Sequence, residues 1–147
     1  MPDVYISIYV QKEVTQLSNG FCEYCLYPEN YSSDFFHFDH IIPLILGGTS
    51  KLFNIARCCG RCNGFKKQNI QHFDPLTGQL VSLFNPRKSQ WIEHFQWSDD
   101  DLLILGQTDI GRATVDLLQL NRQNVVNLRQ LLKNAGLHPP KFSVKMG

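Results

Sequence analysis

Charge is scarce in this 147-residue sequence, at 18% of the residues, and its middle has no acidic side chain at all between residues 51 and 72. Long apolar runs are missing too. None approaches the ~20 residues of a membrane-spanning helix, so no membrane partner is expected. The opening MPDVYISIYVQKE has neither a basic leader nor a secretory cleavage pattern, which points to a soluble, cytoplasmic protein. Internal repeats and low-complexity linkers are absent, which excludes solenoids and tethered arrays. The low charge does not signal disorder, because 43% of the residues are hydrophobic, enough for one ordinary core. A single domain over residues 1–147 is therefore expected.

What charge there is lies unevenly. Residues 1–50 hold six acidic side chains and one basic one, Lys12. Residues 51–72 hold five basic side chains, namely Lys51, Arg57, Arg61, Lys66 and Lys67, and residues 102–147 hold six basic against two acidic. A net charge of +1 thus conceals a basic stretch, and the stretch rather than the total sets the footprint for a polyanion. A lysine-rich solvated helix face would produce the same pattern.

Cysteines number only five, yet four of them form two CxxC pairs, Cys22–Cys25 in CEYC and Cys59–Cys62 in CGRC. Paired knuckles present four thiolates to one tetrahedral ion, so structural Zn²⁺ is expected, with iron able to use the same ligands. Disulfides are the weaker reading in a chain without a secretion signal. Cys58 is left over and reads as a small buried hydrophobe.

The pattern of apolar residues predicts an α+β fold. Residues 3–10 read as a strand, or 8–18 as a helix before the SNG stop. FFHFDHII is a strand ending at Pro43, LGGTS a loop, KLFNIARC a return strand, and CNGFKKQNIQHF a short helix. Further on, WIEHFQWS and DLLILGQT read as strands. Thr108 is expected to cap one helix, and Asn121 to cap a second that ends at Gly136. Trp91 and Trp97 are expected in the core.

In order, the middle of the chain reads CEYC, FDHIIP, GG, Asn54, CGRCNGFKK. Over residues 20–70 this order and spacing resemble the HNH nucleases. The resemblance implies a ββα-metal core over 20–72, stapled by a Cys₄ zinc site, with a C-terminal strand-and-helix extension over 73–147. It also implies hydrolysis of DNA phosphodiester bonds to 5′-phosphate and 3′-hydroxyl ends. His40 is the one base in the cluster suited to neutral pH, so it is assigned to water activation. Asp39 and Asn63 offer hard oxygens to a catalytic Mg²⁺ or Mn²⁺. Asn54, by resemblance, ties the loop and orients His40. His37 is expected as a polar strand residue, with a phosphate or a second ligand position as its functional alternative.

Arg57, Arg61, Lys66 and Lys67 are candidates for phosphate contacts. Arg112, Arg122, Arg129 and Lys133 give the extension either a DNA face or a packing role. Pairing of the C-terminal helices in a homodimer would suit branched as well as duplex DNA. The competing reading is a zinc-stapled nucleic-acid-binding module without catalysis, and a third is a zinc scaffold for protein partners. One difficulty is geometric. Strict strand alternation puts His37 and Asp39 on one face and His40 on the other, so a shared site requires a bend before Pro43.

Overall fold

Ser7 opens the first helix by accepting a hydrogen bond from the Val10 N–H, and Asn19, at φ 54°, closes it. This helix, α1 (Ile8–Ser18), settles the choice at the N-terminal end in favour of helix. The structure, a computed structural model, describes residues 5–141, so positions 3 and 4 of the alternative strand lie outside the described residues. Past Gly20 the chain enters the first knuckle. There Cys22 N–H donates to the Tyr27 carbonyl and Leu26 N–H to the Cys22 carbonyl.

The central unit is a two-stranded antiparallel sheet with a helix. β1 (His37–His40) pairs with β2 (Ile55–Cys58) in the register His37 to Cys58 and His40 to Ile55, and α2 (Gly60–Lys66) follows directly. The loop between the strands is compact because its backbone is tied. Pro43 leads a 3-10 turn over Leu44–Leu46, which Gly47 ends at φ 90°. Gly48 is needed for a different reason: a β-carbon there would stand 1.7 Å from the Ile42 carbonyl oxygen. Ile41 N–H reaches the Asn54 carbonyl across the loop at 2.8 Å. Cys59 caps α2, its sulfur accepting from the Cys62 N–H at 3.4 Å.

Beyond the central unit, β3 (Gln71–Phe73) and β4 (Leu80–Ser82) form a hairpin. Then come α3 (Trp91–His94), a second hairpin of β5 (Phe95–Trp97) and β6 (Ile104–Gly106), and two helices, α4 (Asp109–Leu118) and α5 (Gln123–Asn134). The fold is α+β, a ββα core with a strand-and-helix extension. The strand expected over WIEHFQWS is only its second half. Gln90 and Glu93 form a capping box that starts a helical turn at Trp91, and the chain becomes extended only from Phe95. Thr108 caps α4 as expected, accepting from Gly111 N–H at 3.0 Å. Asn121 does not cap α5. Its amide instead takes both backbone groups of Ile104, at 2.8 and 2.9 Å, and Arg122 occupies the cap position.

One buried cluster runs through all of this, from the knuckle residues Cys22 and Tyr24 through Ile41 and Ala56 to Phe84, Trp91, Phe95, Leu118 and Leu120. Trp91 is 7% exposed and its ring stacks on Phe95 at 5.1 Å. The extension therefore shares a core with the knuckles. Among the described residues, no helix is long and apolar enough to cross a membrane.

Candidate active site and metal centre

The four sulfurs of Cys22, Cys25, Cys59 and Cys62 lie within 4.8 Å of one another, all buried and none in a disulfide. Cys25 and Cys59 sulfurs are 3.7 Å apart. A tetrahedral ion with Zn–S bonds of about 2.3 Å requires sulfurs about 3.8 Å apart, so the donor set fits Zn²⁺ in both chemistry and spacing. The electrostatics agree. Burial pushes the Cys22 and Cys62 thiols well above their usual range, whereas hydrogen bonds from Cys22, Cys25 and Cys62 hold Cys59 below it. Four buried thiols cannot all ionise unaided, and a dication among them removes the conflict.

Arg122 completes this centre, a role with no signature in the local sequence. Its guanidinium lies 3.4 Å from the Cys59 sulfur, 3.7 Å from Cys25 and 3.9 Å from Cys62. It donates to sulfurs that would carry excess negative charge around a divalent ion. Cys58 is not one of the four clustered sulfurs; it is fully buried, and burial raises its thiol far above the usual range, as suits a small hydrophobe.

The Asp-His pair sits at the end of β1. Asp39 is 6% exposed, and its Oδ2 accepts from the Tyr24 hydroxyl and from Lys66 Nζ, both at 3.1 Å. Burial raises the Asp39 carboxyl and the neighbouring Lys66 pulls it back. Lys66, expected at a phosphate, is itself 1% exposed and donates to the Ile41 carbonyl at 3.1 Å and the His40 carbonyl at 3.5 Å. These two carbonyls belong to the bend that follows β1. Lys66 thus fills the bend that alternation demanded, and Asp39 and His40 come to line the same cavity although they are sequence neighbours.

That cavity, of about 250 Å³, is bounded by Asp39, His40, Pro43, Asn63 and Lys67 among others. A larger one, about 310 Å³, lies between α1, the first knuckle and residues 84–92, and contains none of this set. Chemistry, not size, makes the smaller cavity the candidate site. His40 Nε2 is 2.9 Å from the Ser50 hydroxyl, and Ser50 is buried. Asn54 is not on His40. Its Oδ1 accepts from Ile42 N–H at 2.9 Å, and its Nδ2 donates to the Ile42 and Thr49 carbonyls at 2.9 and 2.7 Å. It ties the loop that carries Ser50, so its influence on His40 passes through that loop. Tyr24 and Ser50 had no signal in the sequence, since each meets its partner across ten or more residues.

Residues 22–74 match the HNH endonuclease family. No curated protein and no solved structure gives a significant match to the chain. The HNH segment contains both knuckles, the Asp-His pair, Asn54 and Asn63, and it ends at Asp74 where the extension begins.

The basic residues of the HNH segment divide. Arg61 and Lys67 are exposed. Arg57 is engaged: it pairs with Glu29 at 2.7 Å and stacks over the Phe38 ring at 4.4 Å. His37 is exposed on β1 and lies outside the cavity lining. In the extension, Arg112 holds Asp74 with two hydrogen bonds of 2.9 and 2.8 Å, and Arg122 holds the sulfurs. Arg129 is 3% exposed and donates to the Leu102, Leu120 and Cys25 carbonyls. Lys133 reaches Asp100 and Asp101. All four cations are thus engaged within the chain.

Proposed function

We propose that the chain is a metal-dependent DNA endonuclease that hydrolyses phosphodiester bonds in duplex or branched DNA to 5′-phosphate and 3′-hydroxyl ends. The observation that carries this reading is the meeting of Asp39, His40 and Asn63 on one cavity within a segment matching the HNH endonuclease family. Asp39 offers a hard oxygen, since Oδ2 alone is taken by Tyr24 and Lys66, and Asn63 offers a neutral one. Together they would hold Mg²⁺ or Mn²⁺, which supplies charge neutralisation at the phosphorus and the departing oxygen.

The chain's own residues do the rest. His40 takes the proton from the attacking water, and Ser50 holds its ring through Nε2. The Asn54 side chain fixes the loop against Ile42 and Thr49, so the imidazole keeps its bearing on the cavity. Zinc held by the four cysteines would brace α2 at Cys62, the residue before Asn63, and so help set where Asn63 points.

Cutting of supercoiled plasmid tests the reading. Wild type is expected to nick or linearise it in Mg²⁺ or Mn²⁺ and to stop in EDTA. His40→Ala is expected to lose about 10²–10⁴-fold in rate while its zinc content and DNA affinity stay at wild-type level. Turnover unchanged in His40→Ala would remove this residue from the mechanism. The binding-module reading draws on the buried Lys66–Asp39 pair, which sets a cation beside the candidate metal ligand. DNA binding without cutting on plasmid, branched DNA and RNA would favour it.

A further inference from the structure

Lys67 ends α2 with φ 51° and ψ −130°. Glycine enters that backbone region freely, and a residue with a β-carbon resists it. The conformation is imposed from both sides. Lys66 has to turn inward to reach Asp39 and the carbonyls at the bend, and the Lys67 N–H closes the helix on the Asn63 carbonyl at 3.0 Å. At such a position the least costly residue is glycine, yet the chain carries a lysine.

Its side chain has a destination. Lys67 lines the cavity that holds Asp39, His40 and Asn63, and among the described residues it is the only Lys or Arg in that lining. Asn63, one helical turn earlier, lines the same cavity. Lys67 is exposed, and none of the salt bridges among the described residues includes it. A strained backbone that delivers an uncompensated cation to a catalytic cavity is the pattern of a functional residue rather than a solvated one.

Resting on the nuclease reading, we propose that Lys67 is a catalytic residue that contacts the scissile phosphate itself, whereas Arg61 is left to the flanking backbone. Charge developing on the non-bridging oxygens is then met by an ammonium beside the cavity. The position trades stability for rate.

Lys67→Gly, Lys67→Met and Lys67→Arg would be compared with wild type and His40→Ala in the plasmid assay and in thermal unfolding. Lys67→Gly is expected to raise Tm by about 2–4 °C while lowering kcat by about 10- to 100-fold, with KM within about threefold of wild type. Lys67→Met should lose the same activity without the gain in Tm, and Lys67→Arg should retain most of the rate. Wild-type kcat in Lys67→Gly or Lys67→Met, or a defect confined to KM, overturns the assignment. So does a Tm of Lys67→Gly no higher than wild type. A wild type inert on every DNA sinks the nuclease reading and this inference together. An active wild type beside unaffected Lys67 variants sinks the inference alone.

Discussion

A lysine side chain at 1% exposure requires a counter-charge, and Lys66 has one in Asp39, itself only 6% exposed. Such a pair gains little over two apolar residues of the same size, but removing one partner strands the other in a place where water cannot reach it. Lys66→Met is therefore expected to cost about 3–5 kcal/mol, read as a lower midpoint in urea with an unchanged slope. Adding Asp39→Asn should recover much of that loss. A Lys66→Met chain as stable as wild type would show that the pair is not formed. The same two residues mark what the sequence could convey at this scale. That Asp39, His40 and Asn63 would come together could be expected because their spacing to the cysteines is a pattern, and the three line one cavity. The inward turn of Lys66 was not, because two adjacent lysines look alike until the helix fixes which one faces the strand end.

Among elements, the decisive contacts join pieces that are local in form and distant in sequence. Asp74 closes the turn after β3, taking Leu76 N–H at 3.0 Å and the Thr77 hydroxyl at 2.9 Å, and binds Arg112 of α4 through both oxygens. The Arg112 guanidinium and these donors hold the Asp74 carboxyl below the usual carboxylate range. A carboxyl lowered by folding stabilises the protein above its unfolded value, near pH 3.9, and that contribution fades as pH falls toward the folded value. Asp74→Asn should thus be less stable than wild type at pH 7, with the gap narrowing below about pH 4 in denaturation measured across pH. A gap independent of pH would mean that the charge of Asp74 contributes nothing. Local signals at this scale were partly readable. Thr108 announced α4 because a cap is a short-range device, whereas Asn121 looks the same in sequence and serves the backbone of Ile104, a partner seventeen residues away. In WIEHFQWS the alternation of large residues hid the Gln90–Glu93 box that makes its first half helical.

For the molecule as a whole, the four-cysteine centre and the extension form one unit. Arg129 on the Cys25 carbonyl, the Trp91 indole on the Tyr24 carbonyl and the Arg87–Glu23 pair run from the extension to the first knuckle, and Arg122 reaches sulfurs of both knuckles. Outer partners of a metal site commonly carry 10- to 100-fold of its affinity. Arg122→Ala should accordingly release zinc to a chromogenic chelator at about 10- to 100-fold lower chelator concentration than wild type. Arg122→Lys, a point charge without the planar fork, should recover only part. Zinc retention equal to wild type in Arg122→Ala would reduce Arg122 to a packing residue. None of these links was visible in advance, since a guanidinium sixty residues from its sulfur leaves no periodic trace.

The contact between Arg122 and the cysteine sulfurs also bears on portability. A segment that matches the HNH endonuclease family over residues 22–74 looks like an interchangeable cassette, since the recognisable pattern stops at residue 74. Here the cassette has lent part of its own metal centre to the segment behind it. Grafted into another protein as residues 22–74, it would arrive with its thiolate charge unanswered and one wall of its core missing. The unit that can be transplanted in this chain extends to α5, well past the point where the pattern ends.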